Sequence, residues 1–254
     1  MPRVAVVSVA QTPFRERREE TVRDLIYLAS QEALQKAGLT PKDVDTVVSA
    51  SSDYWQGMGC SNVYYYEGAA SYLKDSPKVE GDGGLAFLYA CLRLLSGLHR
   101  TALVAAVGKG SEVASIPSIT HLSCDPFYQR PVALEEVSAA GLQARLYLHQ
   151  YGVPEEALHR AAQRDLRHAL FSPWAHRKGD YTLAEVSASE PLALPLRRLH
   201  CAPLSDGACA LLLATEERAR ELTPQPLWVL GFGWAAEEYG LGERDLLAPS
   251  ALRQ

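Results

Sequence analysis

The chain has 254 residues, a formal charge of −5 and 47% hydrophobic residues, enough to bury one large core or two modest ones. With 22% charged residues it has the composition of a soluble globular protein rather than a disordered one. The mild acidity speaks against nucleic acid, which needs clustered Lys and Arg, and no apolar run approaches the roughly 20 residues that span a bilayer. The five cysteines (Cys60, Cys91, Cys124, Cys201 and Cys209) are odd in number and form no CxxC pair. Free thiols in a reducing cytoplasm are expected, with no metal site.

The opening MPRVAVVSVAQTPF reads as a first strand rather than a signal peptide. Its core, RVAVVSVA (3–10), is a continuous β-branched run suited to a strand buried on both faces. In ETVRDLIYLASQEALQKAGL, Val22, Leu25, Ile26, Ala29, Ala33, Leu34 and Ala37 form one apolar helical stripe, and Gly38 is the stop. DVDTVVSASS (43–52) predicts a second strand and NVYYYEGAASYL a short helix. SPKVEG leads a third strand into a turn at Asp82-Gly83-Gly84. GLAFLYACLRLLSGLHR follows as an apolar helix with basic residues near its C-terminus, then RTALVAAVGKGSE as a fourth strand. The order β-α-β-α-β-α-β predicts an α/β domain with parallel strands.

From Ile116 to Leu199 the pattern changes. Prolines 117, 126 and 131 punctuate an irregular start, and amphipathic helices follow at 134–151 and 154–170, the second with Pro in its first turn. ACALLLAT (208–215) resumes the core, with a helix at 216–222 and a strand PLWVLGFGWA (226–235) after it. These readings divide the chain into an α/β core (1–115 and 200–240), an inserted helical subdomain (116–199) and a tail (241–254). The tail, with Asp245 or Ser250 as a helix cap, reads as the start of a truncated or missing C-terminal half.

Common motifs are absent: GKGSE is not a GxxxxGK(S/T) phosphate loop, and no GxGxxG, GxSxG or HExxH stands in the right context. Four other segments, taken together, carry more. VAVVSVAQTPFRE resembles the first strand and turn of the thiolases. PFYQRPVALEEVSAAGLQARLYLHQYGVPEEAL resembles the loop domain of the sterol-carrier-protein-x type within that superfamily. HALFSPWAHRKGDYTLAEVSAS resembles the segment that follows it, and PLSDGACALLLATEERAREL the signature in which Ser-Asp-Gly-Ala opens a core strand. The resemblance runs in order over nearly the whole chain, as to the N-terminal half of a thiolase subunit. It implies a thiolase-like βαβαβαβ core with a mostly parallel or mixed five-stranded sheet and an inserted helical loop subdomain. A coenzyme A thioester would be the substrate, with no further cofactor, and the subunit would be a homodimer.

In thiolases the third strand runs into a turn that carries the cysteine nucleophile at a helix N-terminus, where the dipole favours the thiolate. The matching stretch here, VEGDGGLAFLYACLRLLSG, has no cysteine at the turn; Cys91 lies about two turns into the helix. Asp82 can be a plain helix cap with Gly83 and Gly84 as a tight turn. Alternatively, Glu80 or Asp82 takes an acid/base or water-positioning role, or a working cysteine sits elsewhere. The family's activating histidine and second cysteine belong to a C-terminal half that this chain does not contain. Ping-pong acyl transfer through this chain's own cysteine is therefore not expected, and the chain alone should be inactive.

Among the histidines, His159 and His168 fall on a polar helix face where solvent exposure is expected. His176, Arg177 and Lys178 could meet the phosphates of coenzyme A or form a solvated loop. Ser205-Asp206-Gly207 should shape the turn into its strand. The resemblance implies first an acyltransferase-type acyl-CoA enzyme acting on carbon–carbon bonds next to a thioester, with a C-terminal half or partner; the alternatives are retro-aldol cleavage with a DUF35-type partner and a non-catalytic acyl-CoA-binding scaffold.

Overall fold

The alanine- and β-branched-rich runs form strands in a computed structural model that describes residues 3–56, 59, 61–64, 66–113 and 115–248. Cys60, Ser250 as a helix cap and the closing 251–254 lie outside the described residues. The chain divides into two units, Met1–Val113 with Leu204–Phe232, and Ala114–Pro203 with Gly233–Gln254.

The first unit runs β1 (Val4–Gln11), α1 (Val22–Lys36), β2 (Thr46–Ser51), α2 (Asp53–Gln56), β3 (Lys78–Glu80), α3 (Gly83–Leu95) and β4 (Thr101–Lys109). From Ala114 the chain builds the second unit. It holds α4 (Ile116–Leu122), α5 (Glu136–Tyr151), α6 (Glu156–His168), α7 (Leu183–Ala188) and a small hairpin, β5 (Pro191–Ala193) and β6 (Leu196–Arg197). The first unit then closes with β7 (Asp206–Thr215), α8 (Glu216–Leu222) and β8 (Leu227–Trp228). Its sheet has six strands in the order β3-β2-β4-β7-β1-β8. It is mixed: β2 is parallel to β3 and β4, whereas β7 is antiparallel to both β4 and β1.

Strand alternation explains why continuous apolar runs were needed. Along β4, Leu103, Ala105 and Val107 pack toward Leu25, Ile26, Ala29 and Leu34 of α1. Ala102 and Val104 pack toward Ala86, Ala90, Cys91 and Leu94 of α3. The sheet is thus covered on both faces. Thr21 caps α1 through a reciprocal capping box, its hydroxyl accepting from the Asp24 N–H and its own N–H donating to the Asp24 carboxylate. Gly38, at φ +66°, ends the helix in the left-handed conformation that glycine tolerates.

Several expectations change. The sheet has six strands rather than five, because β8 adds a two-residue edge against Ala5 and Val6. The expected strand at 226–235 stops there, since only Val4–Val6 offers it a partner. The expected helix at NVYYYEGAASYL is a single 3-10 turn, Ser61–Tyr64, then turns in which Ala70 and Leu73 take positive φ. The helix after Gly83 ends at Leu95 because Gly97 turns the chain at φ +80°.

In the second unit, α5 approaches the hairpin so closely that a Cβ on Gly141 would stand 2.7 Å from the Ala193 carbonyl oxygen. The expectation of a solvent-exposed His159 is corrected: it is 9% exposed and stacked on His200, because α6 turns this side inward together with Leu166. His168, on the other side, is exposed.

Candidate functional site

Parallel strands β2, β3 and β4 end on one edge of the sheet, at Ser51, Glu80 and Lys109, the edge where open α/β sheets place their ligands. The N-terminus of α3 starts from the same edge. Gly81 links strand to helix at φ +131°, a conformation closed to side chains with a Cβ. Asp82 then caps α3: its backbone is extended (φ −100°, ψ 171°) and its carboxylate accepts from the Leu85 N–H at 3.0 Å. A Cβ on Gly83 would come within 3.2 Å of the Ala106 Cβ, so glycine lets α3 press against β4.

Glu80 is committed to a neighbour. Its carboxylate accepts from the Lys78 ammonium at 2.6 Å and from the Asp53 N–H at 2.8 Å. Lys78, with a side chain 13% exposed, also pairs with the Asp53 carboxylate. Burial pushes the Glu80 carboxyl up, but the hydrogen bonds from Lys78 and Asp53 outweigh it and hold it below its ordinary value. Burial also works against the Lys78 charge, yet its two carboxylate partners hold it above the usual lysine value. Glu80 therefore stands ionised at neutral pH, unsuited to donate a proton as an acid.

Sequence reasoning missed Lys78 and Asp53. The i, i+2 spacing of Lys78 and Glu80 on one strand face was a signal for the first pair. Asp53 comes from the chain beyond β2, and only the register that sets Ser51 opposite Glu80 brings it there.

No thiol lies in the turn. Cys91 is buried against the sheet, and burial pushes it up to about 11, so it is a protonated core residue. Burial raises Cys209 and Cys201 as well.

Of the other expected site residues, Gly83 and Gly84 are the first two residues of α3, beside Asp82. His176, Arg177 and Lys178 belong to the second unit, on the chain between α6 and α7. Arg177 is half-buried and donates to the carbonyls of Arg198 and Cys201, both at 2.7 Å. Lys178 is exposed and donates to the Ser172 carbonyl at 3.0 Å.

Asp206 also stands on the sheet edge, opposite Lys109. Fully buried, its carboxylate accepts from the N–H groups of Arg18 and Ser111, each at 2.9 Å, and from the Ser111 hydroxyl at 2.6 Å. It ties three chain segments together. Gly207 beside it must lack a Cβ, which would stand 2.4 Å from the Phe14 ring.

No family model matches the chain. It is 29% identical over 252 residues to an acetyl-CoA acetyltransferase of Methanothermobacter thermautotrophicus, covering 95% of this chain and 64% of the relative. It is 31% identical to an acetyl-CoA acetyltransferase of Methanocaldococcus jannaschii, covering 86% and 57%, respectively. A steroid side-chain-cleaving aldolase of Thermomonospora curvata is 27% identical over 89% of this chain and 60% of its own length. The chain thus spans less than two thirds of these relatives. Among solved structures, an Ltp2–ChsH2(DUF35) aldolase superposes with a TM-score of 0.75 at 24% identity, over 96% of this chain and 64% of that one. Human mitochondrial 3-ketoacyl-CoA thiolase in complex with CoA gives a TM-score of 0.65 at 15% identity, over 87% and 66%. The chain is therefore a homologue of thiolase-like proteins and has the thiolase fold.

Proposed function

We propose that the chain is a thiolase-like subunit that cleaves a carbon–carbon bond next to an acyl-CoA thioester by a retro-aldol route, without a cysteine nucleophile of its own. The observation that carries this is the turn from Glu80 to Gly84, which opens α3 with a carboxylate cap where a thiol would be needed for thiolysis. Retro-aldol cleavage needs a base to take the hydroxyl proton of a 3-hydroxyacyl-CoA and a cradle for the enolate formed as the bond breaks. The enolate is then protonated, leaving a carbonyl product and a shortened acyl-CoA.

In this reading the N–H groups of Gly83 and Gly84, at the positive end of α3, stabilise the developing negative charge. Asp82 positions water or a proton beside them, Glu80 being engaged by Lys78. His176, Arg177 and Lys178 suit the phosphates of coenzyme A by charge. The remaining groups come from a C-terminal half or a DUF35-type partner, in a homodimeric cytoplasmic assembly. Two observations support a partner: the aldolase neighbour carries DUF35 in its name, and α3 leaves Leu85, Tyr89 and Leu92 exposed on one stripe at 42%, 38% and 38%. Among the described residues no helix is long and apolar enough to cross a membrane.

Acyl transfer is the second reading, favoured by the two acetyl-CoA acetyltransferase relatives; it requires the nucleophile to come from another segment or subunit. Purified chain given acetoacetyl-CoA and coenzyme A should show no thiolysis. Cleavage of a 3-hydroxyacyl-CoA to a carbonyl product once a DUF35-type partner is added supports the retro-aldol reading. Robust thiolysis by this chain alone overturns it, and acyl-CoA binding with no cleavage under either condition turns the assignment to a scaffold.

A further inference from the structure

The second unit contains a pair of histidines, His159 buried and His200 half-buried, that the proposed reaction does not use. His159, on the inward side of α6, stacks on His200, with ring centroids 5.0 Å apart and an interplanar angle of 19°. His200 ends the short 3-10 turn Arg198–His200 that follows β6. His159 Nδ1 and His200 Nε2 are 2.9 Å apart, and the Arg197 main-chain N–H donates to His200 Nδ1 at 3.1 Å.

These contacts assign the protons. A backbone N–H can only donate, so His200 Nδ1 must present its lone pair and neutral His200 carries its proton on Nε2. That N–H points at His159 Nδ1, which must accept, so His159 also carries its proton on Nε2. The chain of donors runs one way, from Arg197 N–H through His200 to His159, and has no place for another proton. An imidazolium bears N–H on both nitrogens. On His200 the added proton faces the Arg197 N–H; on His159 it faces the His200 N–H. Either one sets two donors against each other and puts a charge onto a partly buried pair.

The surroundings offer little relief. The Arg197 cation works against a charge on His200; its side chain donates to the Ser189 carbonyl and stands 4.0 Å from Glu155, at the start of α6. Glu155 is the one carboxylate that favours a charge on His200, against burial, His159 and Arg197. Arg198 is paired with Glu190, and Arg177 is spent on the carbonyls of Arg198 and Cys201. From α7, Glu185 is held in its own capping box with Thr182, and burial keeps the Cys201 thiol protonated. The Ala169–Phe171 turn after α6 brings no titratable side chain.

We propose that the His159–His200 pair is an acid-opened latch: neutral, it holds α6 to the Arg198–His200 turn, and one proton releases it. The sign follows from the direction of the shift. Free histidine takes its proton near pH 6.5, whereas His200 is held below that value, so the latch is intact above about pH 6.5 and weakens as pH falls below it. The same turn supplies the carbonyls that hold Arg177, so opening it also loosens that guanidinium.

Hydrogen exchange on the full chain between pH 7.5 and 5.5, corrected for intrinsic rates, tests this. Peptides covering 156–168 and 196–201 should lose protection about tenfold or more while β4 stays protected. In His159→Phe, which keeps a ring at the site without the accepting nitrogen, that local step should shrink to threefold or less. An unchanged step in the variant, no step in the wild type, or loss of protection together with β4 would each overturn the latch. Should His159→Phe fail to fold, ring-nitrogen NMR of the wild type decides. Both rings protonated on Nε2 at pH 7.5, with His200 taking its second proton only below its ordinary value near pH 6.5, support the latch. A proton on either Nδ1 at pH 7.5, or His200 titrating at its ordinary value, refutes it.

Discussion

Two carboxylate-bearing turns share one edge of the sheet in the first unit, and they use their charge differently. Asp206, opening β7, is fully buried and accepts hydrogen bonds from two N–H groups and a hydroxyl. Asp82, opening α3, caps its helix from an exposed position, with Glu80 paired to Lys78 beside it. A buried carboxylate with every partner supplied by protein is a structural bolt. One at the surface, next to a helix N-terminus and two glycines, keeps room for a ligand. Burial, more than residue type, separates the two.

The largest way to break this contrast is Asp206→Ala. It leaves the N–H groups of the half-buried Arg18 and Ser111 without their acceptor and should cost about 3 kcal/mol, read as a lowered urea midpoint. Gly207→Ala drives a methyl group into the Phe14 ring and should cost about 1–3 kcal/mol by the same measurement. Asp82→Ala removes only a cap, worth about 1 kcal/mol, and Asp82→Asn should restore most of it. If Asp82→Ala costs as much as Asp206→Ala, the distinction between bolt and open turn fails.

The smallest effect sharpens the comparison by pH. The Glu80 carboxyl is held below its ordinary value, so its contribution is present above the unfolded carboxylate range, near pH 4.3, and is lost as pH falls through the lower folded value. Glu80→Gln should flatten that acid limb by about 0.5 kcal/mol or less, because the Glu80 side chain is half exposed and solvent screens it. Equilibrium unfolding followed from pH 6 to pH 3 checks it, and a steeper limb in the variant would contradict the assignment.

Much of the fold could be read from local patterning. The apolar stripe of α1, its Gly38 stop, the two-sided runs of β1, β2 and β4, and the helix at 216–222 are encoded over a few residues each. The thiolase-like character came from segments in order, and the empty nucleophile turn was visible as a missing letter. The cap role of Asp82 was legible too, since Asp before two glycines and an apolar run is a local signal. The commitment of Glu80 was not, because Asp53 reaches it only through the parallel register of β2 and β3.

The sequence by itself determined most of the long strands and helices, that the turn at 80–84 has no thiol, and which relatives the chain resembles, because these depend on composition, periodicity and neighbours within a turn or two. Tertiary structure alone decided that β8 stops at two residues, that Lys78 binds both Asp53 and Glu80, and that His159 lies buried against His200. Those outcomes rest on contacts between residues far apart in the chain. There, pairing partners and the cost of burying polar groups override the preference of any single segment.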